Sequence, residues 1–152
     1  DLHSFPTRRS SDLHIASRTA YFLLAFVNIG LVPDSGITWL LPRLVGRSRA
    51  LQMMLMGERV DAAQAEQWGL IYKTVEPDEL ESASMTLAQR LANGPTQAYS
   101  LVRGCMRASM ESTLAEVLAL ESRNQVLASR TGDFAEGVMA FRQKRPPRFG
   151  GR

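Results

Sequence analysis

From residue 80 onward, apolar positions recur at helical spacing. Leu80, Ala83, Leu87 and Leu91 form one stripe that stops at Asn93-Gly94-Pro95, which predicts a helix with a sharp end. Ala98, Leu101, Val102 and Cys105 carry the period into a second helix. A third, with Ser112 as its expected cap, shows an apolar face at Leu114, Val117 and Leu118 that turns polar by Glu121. "TGDFAEGVMAF" predicts a last short helix before Pro146-Pro147.

Upstream the rhythm differs. "HIASRTAYFLLAFVNIGLVP" is rich in β-branched and aromatic residues and punctuated by Gly30 and Pro33, so it reads as short extended segments with a helical turn around 23–26. "SGITWLLPRLVG" predicts a helix with Asp34 or Ser35 as N-cap, Gly46 beyond its end, and Pro42 kinking or shortening it. "RSRALQMMLMG" and "DAAQAEQWG" are two compact helices ended by Gly57 and Gly69, the second with capping-box spacing between Asp61 and Gln64. "LIYKTVE" is the clearest strand. Short strands thus come first and packed helices after. A lone strand pair buries too little surface to stand independently, so these strands are expected to need partners from outside the chain.

The opening stretch breaks the pattern. "HSFPTRRSSDL" has no apolar run for a secretory signal, and Asp1 and Asp12 argue against a transit peptide. It resembles, residue for residue, the translation of a common sequencing-library adapter, so residues 1–13 are expected to be non-native and the authentic chain to begin near His14, partway through a longer gene. Those residues carry two Arg and two Asp, so the net charge of +3 stands without them. At 45% hydrophobic and 22% charged the composition suits a soluble globular domain. No basic face with interleaved aromatics points to nucleic acid, and no run approaches the ~18 apolar residues of a membrane span. The single Cys105 leaves no internal disulfide and no cysteine-based metal cluster, which fits a cytoplasmic location. On charge alone the tail "RQKRPPRFGGR" reads as a solvated terminus.

Several motifs together are more specific. An Ile29-Gly30-Leu31-x-Pro33 turn precedes a helix, then come Leu41-Pro42-Arg43-Leu44-x-Gly46, Ala50, Gly57, Ala62, Ala65 and Gly69-Leu70, and the chain closes on "GDFAEGVMAFRQKRPPRFGGR". On these residues the chain resembles the enoyl-CoA hydratase/isomerase, or crotonase, family over essentially everything after residue 13. Within it, "VPDSG", "WLLPRLVGR" and "EGVMAFRQKRPPRF" look most like the isomerases that convert ring-epoxidised phenylacetyl-CoA to oxepin-CoA and also shift double bonds in enoyl-CoA thioesters.

The resemblance implies an α/β fold. Residues 14–76 would be the C-terminal part of the crotonase ββα spiral core, and 77–152 a helical trimerisation region with a CoA-contacting tail. It implies an acyl-CoA thioester substrate, no separate cofactor and no metal, and a homotrimer or hexamer for the intact parent. The family polarises the thioester carbonyl with two backbone N–H groups drawn from its N-terminal half, each contributing about 2.7–4 kcal/mol; neither donor is expected in this chain, which has no GGG stretch.

The resemblance also assigns residues. Asp34 falls where related isomerases place a catalytic acid, and a carboxylate beside an apolar acyl pocket is made a better proton shuttle by desolvation; an N-cap role is the alternative. Phe26, Gly30, Leu31 and Pro33 would bind substrate. Phe26 stands where hydratases carry a water-activating glutamate, and a phenyl ring cannot deprotonate water, so it reads as an acyl-pocket wall or as plain core. Phe141 and Lys144 have the spacing of an aromatic and a lysine that hold the adenine and phosphates of CoA, often across a subunit boundary. A hydratase of fatty-acid β-oxidation and an inactive truncated fragment remain the alternatives. Trp39, Trp68, Met53, Met54 and Met56 are expected to be packing residues; neither His14 nor Ser35 has sequence neighbours that make a metal site or a triad.

Overall fold

The computed structural model describes residues 13–152; the adapter-like segment, apart from Leu13, lies outside them. The described residues divide into two compact units, the first ending at Ser84 and the second running from Met85 to Arg152.

The first unit contains β1 (Ile15–Ser17), β2 (Tyr21–Phe22), a 3-10 turn (Ala25–Ile29), α1 (Ile37–Val45), α2 (Arg47–Met56), β3 (Val60–Asp61), α3 (Ala62–Gln67), β4 (Lys73–Val75) and a second 3-10 turn (Pro77–Glu79). β1 pairs in parallel with β4, Ile15 opposite Lys73 and Ser17 opposite Val75. A parallel pair needs a long crossover, and α1 to α3 supply it. β2 pairs antiparallel with β3, Phe22 opposite Val60. The expected extended segments are there, with the helical turn two residues further on than the pattern placed it. The strand in "LIYKTVE" is three residues long.

Ile37, Leu41 and Val45 lie at i, i+4 and i+8 and turn one face of α1 inward onto Ala50 and Met53 of α2. Leu24, Leu41 and Met53 are the largest fully buried side chains, and each contributes about 1.5–3 kcal/mol by leaving water. Trp68 and Met54 pack on the edge of this core. Trp39 and Met56 do not belong to it: Trp39 is 41% exposed and Met56 57%. At two residues past Ile37, Trp39 points away from the buried stripe, and Arg43 covers its ring with the guanidinium carbon 3.8 Å from the ring centre. α1 runs on through Pro42, which leaves the Thr38 carbonyl without that amide donor, and ends at Val45 after nine residues.

Two caps differ from the sequence reading. α1 starts after Gly36, in the left-handed conformation with φ 79°, and no side chain caps it, neither Asp34 nor Ser35. α3 is capped as expected, with Asp61 Oδ1 accepting from the Gln64 amide at 2.7 Å.

α4 (Leu80–Ala92) contains the division between the units. The second unit continues with α5 (Thr96–Ser109), α6 (Leu114–Ser129) and α7 (Gly132–Arg142). Thr113, not Ser112, caps α6: its hydroxyl accepts from the Glu116 amide while Glu116 accepts from the Thr113 amide at 2.7 Å, a reciprocal capping box that also holds the Glu116 carboxyl below the usual range. Asn124 joins α6 to α5 through Leu101 O and Cys105 Sγ, the latter at 3.1 Å. No residue of α4, α5 or α6 is fully buried. Among the described residues no helix is long and apolar enough to cross a membrane.

Candidate active site

The residues singled out by sequence fall in two places. Phe26, Gly30, Leu31, Pro33 and Asp34 belong to one continuous turn in the first unit; Phe141 and Lys144 lie at the end of α7 in the second.

The turn is built from its backbone. The Gly30 amide donates to Val27 O at 3.0 Å and the Leu31 amide to Phe26 O at 2.9 Å, closing the 3-10 turn with Gly30 at φ 74°. Phe26 is half-buried on the core, whereas Ile29, Leu31 and Val32 are 75%, 57% and 80% exposed. The Ile37 amide then donates to Asp34 O at 3.0 Å, with Ser35 at φ 54° and Gly36 at φ 79° between them. Two successive left-handed residues inside such a bond are the mark of a type I′ turn. A serine there carries strain that glycine or asparagine would avoid.

Asp34 occupies the first corner of this turn, exposed. Its carboxylate accepts no hydrogen bond and forms no ion pair among the described residues. The capping role open from the sequence is therefore not realised, and Asp34 follows a stretch with exposed Ile29, Leu31 and Val32.

The turn is anchored from behind by Asn28, a residue sequence reading passed over. Its Nδ2 donates to Gly57 O at 3.1 Å, tying the 3-10 turn to the end of α2. Gly57 is buried with φ 57°, and a β-carbon on it would lie 2.3 Å from Asn28 Oδ1. The pair Asn28 and Gly57 carries no local sequence pattern that marks it.

In the second unit, Phe141 is 85% exposed at the end of α7. Lys144 sits at φ 53°. Its amide donates to Phe141 O at 3.2 Å and the Arg145 amide to Ala140 O at 3.1 Å, the paired bonds of a Schellman helix end. Glycine ordinarily fills that left-handed position, since a β-carbon there costs about 1–2 kcal/mol.

The tail read as a solvated terminus is instead pinned along α7. Asp133, Glu136, Gly137 and Ala140, at i, i+3, i+4 and i+7, face it. The buried Asp133 carboxylate accepts from the Gly150 amide at 2.7 Å and the Gly151 amide at 3.0 Å. Glu136 takes a two-pronged contact from Arg145, 2.6 Å to Nη1 and 2.9 Å to Nη2, and accepts from the Arg148 amide at 2.7 Å. The Arg145 hydrogen bond, then the Arg148 amide, hold the Glu136 carboxyl down from 4.5 to about 2; the same contact raises Arg145. Sequence reasoning missed this clamp, although acids three apart on the last helix, followed by arginines and a Gly-Gly pair, are its signal.

A family model for enoyl-CoA hydratase/isomerase matches residues 9–152, its first matched residues falling within the adapter-like segment. The chain belongs to the enoyl-CoA hydratase/isomerase family. It is 43% identical over 141 residues to the 1,2-epoxyphenylacetyl-CoA isomerase of Escherichia coli, covering 93% of this chain and 54% of that protein. It is 36% identical over 141 residues to the 2,3-dehydroadipyl-CoA hydratase of the same organism, covering 93% and 55%. The crystal structure of subunit I of an enoyl-CoA hydratase from Geobacillus kaustophilus superposes with a TM-score of 0.87 at 38% identity, over 93% of this chain and 55% of that one. The chain spans about half the length of these relatives. The fold is mixed α/β and corresponds to a C-terminal part of the crotonase fold, as the motifs implied.

Proposed function

We propose that this chain is the C-terminal part of an acyl-CoA thioester isomerase in which Asp34 moves the proton. The observation that carries the reading is the place of Asp34 in the Val32-Pro33-Asp34-Ser35-Gly36 turn of a chain of this family, with its carboxylate exposed and unpartnered among the described residues.

In a double-bond shift the C–H bond next to the thioester carbonyl breaks, and its electron pair moves toward the carbonyl as an enolate. Two backbone N–H groups, supplied in this family by its N-terminal half, take up the oxyanion charge. Asp34 accepts the proton and returns it to the carbon two positions further along, so it ends in its starting state. The isomerase reading, including ring-epoxidised phenylacetyl-CoA as substrate, draws support from the E. coli isomerase at 43% identity. The hydratase relative keeps enoyl-CoA hydration as the second reading, and Phe26, which cannot activate water, favours the first.

Phe141 and Lys144 would hold the adenine and phosphates of CoA. An 85% exposed phenyl ring and a lysine kept in a glycine's conformation support this. The absence of any fully buried residue in α4, α5 and α6 supports a homotrimer or hexamer in the intact enzyme, taken to be cytoplasmic; a monomeric complete enzyme in sedimentation would count against it.

The test is turnover by the complete gene product containing this chain, assayed for oxepin-CoA and for enoyl-CoA isomerisation. Asp34→Asn should lower kcat by about 10²–10⁴-fold, the range for a positioned proton carrier. An undiminished variant removes Asp34 from the mechanism, and hydration of crotonyl-CoA as the main activity favours the second reading. The chain alone should turn over neither substrate.

A further inference from the structure

The Schellman end of α7 is tied down more heavily than a helix end requires. Arg145 uses all three guanidinium nitrogens: Nη1 and Nη2 on Glu136, Nε on Gln143 Oε1 at 2.7 Å, with Nη1 also reaching Pro146 O at 3.1 Å. Gln143 and Pro146 bracket Lys144. The Arg148 amide comes to the same Glu136 oxygen that Arg145 Nη1 contacts. One carboxylate on α7 therefore gathers the chain on the far side of Lys144, while Phe141 O holds it on the near side. The clamp also pairs the charge of Arg145, so that Arg145 does not compete with the Lys144 ammonium, which stands near Arg142 and Arg148 in the sequence.

We propose that Glu136 and Arg145 are positioning residues for Lys144: their two-pronged contact fixes residue 145 against α7, and so holds Lys144 in the left-handed conformation from which it meets a phosphate of a CoA-type ligand. This rests on the reading of Lys144 as a CoA contact. A glycine at 144 would form the same helix end without strain and without an ammonium. The chain keeps the lysine, and the clamp supplies the restraint that glycine makes unnecessary. Glu136 stays ionised at any pH near neutrality, its carboxyl being held at about 2, so the contact persists under working conditions.

The experiment is a double-mutant cycle in the complete gene product containing this chain, read by calorimetric titration with coenzyme A up to millimolar concentration. Lys144→Ala and Glu136→Gln should each weaken coenzyme A binding by about tenfold, the scale of one charged contact. The double variant should bind no more weakly than either single one, because Glu136 acts through Lys144. A merely structural Glu136 would instead weaken binding in both backgrounds, giving about a hundredfold loss in the double variant; that result overturns the proposal. So does Glu136→Gln binding like wild type while Lys144→Ala is impaired, an outcome that leaves the CoA reading standing. If the complete wild-type protein shows no response to coenzyme A, or Lys144→Ala binds as well as wild type, the CoA contact itself fails and the positioning role with it. Should Glu136→Gln lose the wild-type circular-dichroism spectrum, Arg145→Lys replaces it in the cycle: it keeps the charge, gives up the fork, and carries the same expectations.

Discussion

Gly57→Ala tests how the candidate site is anchored. Gly57 is buried at φ 57°, and the added methyl would sit 2.3 Å from Asn28 Oδ1, 2.9 Å from Asn28 Cγ and 3.0 Å from Val27 Cγ1. Three contributions decide the outcome. The left-handed backbone costs an alanine about 1–2 kcal/mol. Asn28 must swing away, which gives up its 3.1 Å bond to Gly57 O and costs about 1 kcal/mol. Against these, alanine stiffens the unfolded chain and returns about 0.4–1 kcal/mol. The balance is a loss of about 2 kcal/mol, or about 4–8 °C in Tm for a chain of this size.

Urea unfolding followed by circular dichroism measures the loss, and a second variant locates it. Asn28→Ala alone should cost about 1 kcal/mol, the value of the bond. The double variant Asn28→Ala/Gly57→Ala should cost less than the sum, because the bond is lost only once and the clash disappears, leaving a coupling of about 1 kcal/mol. Gly57→Ala within about 0.5 kcal/mol of wild type, the scatter of ordinary surface substitutions, would refute the packing argument. So would strict additivity. In the complete enzyme the same variant should also lower kcat, since the turn that Asn28 anchors leads into Asp34.

Two further outcomes follow from the second unit. Thr113→Ala should cost about 1 kcal/mol in urea unfolding and Ser112→Ala much less, because the cap of α6 is Thr113; the reverse order would return the cap to Ser112. The Glu136 carboxyl drops from 4.5 to about 2 on folding, so its contribution is complete above pH 4.5 and is lost as pH falls toward 2. The wild-type Tm should therefore decline on acidification through that window more steeply than that of Glu136→Gln, and parallel curves would contradict the clamp.

What could be read from the chain follows the physics of each element. α4 to α7 were legible because a 3.6-residue period survives even where no position is fully buried. The strands were harder to bound: two or three residues are too few for a period of two to show, and their pairing with segments about forty to sixty residues away depends on the whole fold. The misplaced cap of α6 had its signal in plain view, since only Thr113 has a glutamate three residues on. Trp39 was assigned by residue type when its spacing from Ile37, Leu41 and Val45 already put it on the outer face. The clamp of Asp133 and Glu136 on the tail had a signal in the acids three apart on α7 and the arginines and Gly-Gly pair that follow, but which donor meets which carboxylate was set by how the tail folds back.

The candidate site was legible for a different reason. Nothing in composition or periodicity separates Asp34 from a helix cap or Lys144 from a tail cation; the family motifs singled them out. The backbone carries local strain at or beside both places. Among the described residues, Ser35 and Lys144 are the only non-glycine residues with positive φ. One adjoins the proposed proton carrier, and the other is the proposed phosphate contact. Serine and lysine are poor choices for that conformation on local grounds, and glycine would serve the turn and the helix end better. Both departures from local preference lie inside motifs that the resemblance singled out, one in each unit, and strain of this kind is what motivates the proposed roles. On the proposed reading, the lysine at 144 supplies an ammonium that a glycine would not. At Ser35, glycine would relieve the strain but widen the conformations open to the corner that carries Asp34.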